Sequence, residues 1–110
     1  MQKQERRTAS RVKVDLPARW EGVLSREKGS VTSLSQTGAF VLSAGLVEKR
    51  ELIWLEILLP DPPPISVWAE VVDQAYEIGF AVRFTSTSDE DAAAIDAYIA
   101  SQLKAGALQD

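Results

Sequence analysis

Val12-Lys13-Val14-Asp15-Leu16-Pro17-Ala18-Arg19-Trp20 puts Val12, Val14, Leu16, Ala18 and Trp20 on one side and Lys13, Asp15 and Arg19 on the other. Successive side chains of a strand point to opposite faces, so this alternation predicts a strand with one face buried and one in water. Pro17 lacks a backbone N–H and predicts an edge or a bulge. The same reading carried outward gives Ser30 to Ser33, Ala39 to Leu42, Leu52 to Leu59, Ile65 to Gln74 and Gly79 to Thr85 as further strands. Between them, Arg26 to Gly29 reads as a polar turn, Leu34 to Gly38 as an exposed turn and Glu48 to Glu51 as a charged connector. Leu52 to Leu59 reads as a mostly buried strand, while the prolines of Pro60-Asp61-Pro62-Pro63-Pro64 withhold their N–H groups and predict a loop. Six short strands in succession predict an antiparallel β-barrel or sandwich.

The chain then changes period. Ser88-Asp89-Glu90-Asp91 combines a capping hydroxyl with three carboxylates suited to the positive end of a helix dipole. Ala92, Ile95, Ile99 and Leu103 recur at helical spacing, and Lys104 and Gly106 suit a helix end. A helix over residues 88–104 packed on the barrel is predicted, with residues 105–110 as a tail and barrel strands filling 12–87. Residues 1–11 carry almost no apolar side chains and read as a flexible arm. At 110 residues the whole is one domain of ordinary size.

Composition excludes much chemistry. There is neither cysteine nor histidine, which removes the usual zinc ligands, thiol nucleophiles and general bases that work near neutral pH. Ser33 and Ser35 have no histidine to activate them, and Asp89, Glu90 and Asp91 are explained as helix N-terminal charge, so no catalytic residue, metal site or cofactor is expected. Trp20, Trp54 and Trp68 fall within strands and read as core or barrel rim. No apolar run is long enough to span a bilayer, and the absence of a leader-like segment sets a cytoplasmic expectation. The net charge is −4, yet Lys3, Arg6, Arg7, Arg11, Lys13 and Arg19 crowd the front. An acidic body argues against duplex DNA as a partner but is compatible with a compact anion held by a few arginines.

Two segments could hold such an anion. Arg7-Thr8-Ala9-Ser10-Arg11 sets two guanidiniums four residues apart with Arg6 beside the first. Guanidinium pairs bidentately with phosphate oxygens or with the O6/N7 edge of guanine; a solubilising tail is the plainer reading of the same residues. Ser33-Leu34-Ser35-Gln36-Thr37-Gly38 offers hydroxyls followed by a glycine, which permits positive φ and close approach of a ligand to the backbone. On its own, such a turn usually only joins strands.

Together, in this order, the two segments resemble the PilZ domain family, whose signature is an RxxxR arm followed by [D/N]xSxxG. The resemblance extends to the barrel, to Gly79-Phe80-Ala81-Val82-Arg83-Phe84 as the family's G-x-x-V-x-F strand, and to the C-terminal helix. It implies a six-stranded PilZ-like barrel that acts as a receptor or adaptor for the bacterial second messenger cyclic di-GMP. By that resemblance Arg6, Arg7, Arg11, Ser33, Ser35 and Gly38 form the ligand site, the arm folds over the barrel on binding, and a downstream protein reads the change. Ser33 departs from the family's Asp or Asn; losing a charged acceptor costs roughly 1–3 kcal/mol. The alternative implied is a divergent member that binds no ligand and docks on a motility or signalling protein.

Overall fold

The computed structural model describes residues 11–61, 63–75 and 78–106. Six strands follow one another: β1 (Val12–Glu21), β2 (Arg26–Leu34), β3 (Gly38–Leu42), β4 (Leu52–Ile57), β5 (Ile65–Ala75) and β6 (Gly79–Ser86), before helix α1 (Asp89–Lys104). They form a closed barrel in the order β1-β2-β3-β6-β5-β4, and every neighbouring pair is antiparallel. The seam between β1 and β4 runs from Ala18↔Ile57 to Glu21↔Trp54. Closure leaves no unpaired sheet edge to recruit another chain.

The alternation of β1 is realised: Val12, Leu16, Ala18 and Trp20 face inward and are buried, with Val14 packed beside them. They meet Ile53, Leu55 and Ile57 of β4, Ile65, Val67, Ala69 and Val71 of β5, and Phe80 and Val82 of β6 in one core. Trp20 stands edge-on to Phe80 with centroids 5.1 Å apart, and its indole N–H donates to Ser43 Oγ at 2.9 Å. A buried indole thereby keeps its one polar atom satisfied. Pro17 is not on an edge. A bulge between Lys13 and Leu16 precedes it, the paired register with β4 stops at Ala18, and its carbonyl accepts from Leu58 N at 2.9 Å.

Two glycines let β3 and β6 lie close. A Cβ at Gly38 would sit 2.3 Å from the Val82 carbonyl oxygen, and one at Gly79 would sit 2.1 Å from that of Val41. Neither has positive φ; among the described residues only Arg50 and Gly106 do. The expectation of a left-handed Gly38 is therefore corrected: what demands glycine there is contact with the neighbouring strand.

Helix α1 closes the barrel end at which β1 begins. Ser88 caps it by accepting from Asp91 N at 3.1 Å, and the Asp91 carboxylate accepts from Ser66 N at 3.1 Å, tying the helix to β5. Ile95 and Ile99 enter the core, whereas Leu103, expected on the same stripe, is exposed. The stripe outruns the barrel by one turn.

Three further expectations are corrected. Arg26 to Gly29 is not a turn but the start of β2, paired with Glu21 to Ala18; the turn lies at Gly22 to Ser25, closed by a Gly22 N to Ser25 O bond of 2.8 Å. The charged residues sit there because the hairpin end is solvated, and polarity marks exposure, not a break in pairing. Strand β4 is buried on one face only, with Leu52 and Trp54 outside. The β2–β3 turn is largely enclosed, since Leu34, Ser35 and Gly38 are buried and only Gln36 and Thr37 reach water.

Candidate functional site

Arg11 enters β1 beside the end of β2, and the register places Lys13 opposite Ser33 and Val12 opposite Leu34. Two bulges meet at this point, one in β1 between Lys13 and Leu16 and one in β2 between Val31 and Ser33. Bulges break the strict alternation and re-aim side chains. Here an open groove of about 540 Å³ forms, lined by Arg11, Lys13, Val14, Thr32, Ser33 and Phe40.

Arg11 Nη1 donates to Ser33 Oγ at 3.2 Å, joining residues 22 apart in sequence. The two sequence segments singled out above thus converge in space. Ser33 is only 7% exposed, and its hydroxyl stands at the wall of the groove. Both ionised groups of the lining, Arg11 and Lys13, are cations, with no carboxylate among the lining residues. On a chain of net charge −4 this is a local reversal of sign, and a concave basic surface concentrates anions.

Ser35 is placed differently. It is 2% exposed, and its Oγ accepts from Thr37 N and Gly38 N, each at 3.2 Å. With Ser35 N donating to the Gly38 carbonyl at 2.9 Å, the serine builds the turn from within. Gly38 sits at the foot of β3, paired with Arg83 of β6, and Phe84 N donates to Thr37 O at 2.8 Å. The structure accordingly brings Arg11 and Ser33 together at the groove and turns Ser35 and Gly38 toward the architecture that supports it. Arg6 and Arg7 lie outside the described residues.

Lys13, Thr32 and Phe40 line the groove without having been singled out from the sequence. Lys13 was legible, because it is on the polar side of the β1 alternation and next along the strand face from Arg11. Thr32 and Phe40 were not, since their position depends on a bulge. Among the described residues no group of carboxylates is arranged to hold a metal ion, and no helix is long and apolar enough to cross a membrane.

Comparison with known proteins agrees with the barrel fold. The solved structure of the Bacillus subtilis inhibitor of motility MotI/DgrA is similar at a TM-score of 0.75 and 21% identity over 90% of this chain. The chain spans about half the length of that protein, 52%. No curated protein matches the sequence. The sequence profile of the PilZ domain matches residues 5–101, a stretch that takes in both motif segments, all six strands and most of α1. This chain belongs to the PilZ domain family.

Proposed function

We propose that the chain is a cyclic di-GMP receptor or adaptor module whose ligand site is the groove between the start of β1 and the end of β2. The observation that carries this is the hydrogen bond from Arg11 to Ser33, which unites the arginine motif and the turn motif at one basic groove. Arg11 and Lys13 supply charge for the phosphates. Arg6 and Arg7 join them from the arm, and guanidinium forks read phosphate or a guanine edge bidentately. Phe40 offers an aromatic face on which a base can stack. Ser33 meets the ligand directly; Ser35 and Gly38 hold the turn in the shape the ligand requires. On binding, the arm orders over the barrel and presents a new surface to a protein partner, a disorder-to-order switch. The reading is of a binding module and not of an enzyme.

Titration calorimetry with cyclic di-GMP tests it. Binding is expected in the wild-type chain, Arg11→Ala weakens it at least about tenfold, the loss of one charge-assisted bond, and Ser33→Asp tightens it. Absence of heat at high micromolar ligand, with Arg11→Ala and Ser33→Asp indistinguishable from wild type, overturns the receptor reading. The second reading, a ligand-free docking module, is favoured by one feature: Ser33 stands where the family carries Asp or Asn, leaving a neutral acceptor for Arg11.

A further inference from the structure

On the outer wall of the barrel, Trp54 of β4 lies directly opposite Trp68 of β5. Their rings meet edge to face with centroids 5.1 Å apart, yet Trp54 remains 39% and Trp68 45% exposed. A cross-strand aromatic pair helps the sheet, but two half-exposed indoles leave much apolar surface in water. On the far side of Trp54 from its partner is a recess of about 290 Å³ lined by Arg19, Trp20, Glu21, Arg26, Trp54 and Glu56. Its four charges form two ion pairs, Arg19 with Glu56 at 2.9 Å and Arg26 with Glu21 at 3.4 Å.

We propose that this wall binds a second copy of the chain, with Trp68 of each copy entering the recess beside Trp54 of the other. Three features commit it to a second copy. Projection and recess lie on one face, as a two-fold interface requires, since each patch must be complementary to itself. The recess is electrically balanced, so two chains of net charge −4 can meet here without bringing like charges together. Arg19 and Arg26 offer cations to the face of an incoming indole, the arrangement in which a cation–π contact forms. The two-fold axis then passes over Trp54, putting the two most exposed aromatic side chains of each wall at the centre and the ion pairs at the rim, which is the anatomy of interface hot spots. About 800 Å² per partner suffices for a stable contact, roughly an eighth of the 6759 Å² that the chain exposes.

Sedimentation velocity of the full chain across a concentration series tests this. A concentration-dependent dimer is expected, and Trp68→Ala raises its dissociation constant at least about 30-fold, the effect of losing one hot spot. Arg19→Glu removes a cation from the recess and sets a like charge opposite Glu56; it weakens the dimer in the same direction while circular dichroism reports an intact barrel. Ile78→Ser, exposed at the β5–β6 turn beside Ser43 and far along β5 from Trp68, leaves it unchanged. A monomer up to about millimolar concentration, a dimer indifferent to both Trp68→Ala and Arg19→Glu, or an equal loss in Ile78→Ser overturns the proposal. A chain that stays monomeric while its tryptophan emission shifts on adding another protein assigns the wall to that protein, and overturns it too.

Discussion

The turn between β2 and β3 and the turn between β1 and β2 reverse what their sequences advertise. Leu34-Ser35-Gln36-Thr37-Gly38 is mostly polar, yet Leu34, Ser35 and Gly38 are buried. Gly22-Val23-Leu24-Ser25 carries two large apolar side chains, yet Val23 is 83% and Leu24 55% exposed. The difference lies in which end of the barrel each occupies. The β2–β3 turn is at the end that α1 closes, with β6 bonded to it through Phe84 N, so the polar groups of Ser35 and Gly38 are withdrawn from water and satisfy one another. The β1–β2 turn is at the opposite end, where its backbone is held by the Glu51 carboxylate accepting from Val23 N at 2.6 Å, and its side chains are left outside. Composition tells how a segment prefers to be solvated; position in the barrel decides whether it is.

Substitutions graded across the two ends can break or sharpen this contrast. Gly38→Ala has the largest expected effect: its Cβ would meet the Val82 carbonyl at 2.3 Å. Neither backbone strand can easily yield, so a loss of about 2–3 kcal/mol and a fall in Tm of roughly 10–20 °C should appear in thermal melts. Ser35→Ala comes next, because Thr37 N and Gly38 N lose their acceptor inside the turn; about 1–3 kcal/mol should be lost by denaturant titration. If Ser35→Ala is neutral, the enclosure of that turn is not what the structure implies. Ser88→Ala removes the cap of the helix that closes this end, at about 1 kcal/mol in the same titration. Tyr98, on α1, has its phenol pushed above the ordinary value by burial. Its folded pKa exceeds its unfolded one, so its contribution to stability is complete below about pH 10 and is lost as pH rises beyond it, a small alkaline decline absent in Tyr98→Phe. At the other end, Val23→Ser should change stability by less than about 0.5 kcal/mol.

The candidate site divides along the same line. Arg11 was legible from its place in the arginine motif, and Ser33 from its place ahead of Ser35 and Gly38, because motif spacing along the chain survives folding. Their hydrogen bond was not legible, because it needs β1 and β2 paired in one register. Neither was the inclusion of Thr32 and Phe40 in the groove, which follows from a bulge that no local residue preference announces. Gly38 was expected for its conformational freedom and is required instead for its lack of a side chain against β6, a neighbour distant in sequence.

What the amino-acid order determined by itself is the kind of each element. Period-two alternation in Val12 to Trp20, the period-3.6 stripe through Ile95 and Ile99, the cap at Ser88 and the proline interruption after Leu59 are all local consequences of backbone geometry. The tertiary structure alone decided which faces became interior, that Arg26 to Gly29 continues a strand, and that Trp54 and Trp68 stand outside. Those outcomes depend on closure. Only when β1 pairs with β4 does the barrel acquire an inside, and only then do side chains of equal hydrophobicity part company, the inward set sealed from water and the outward set left to face whatever meets the wall.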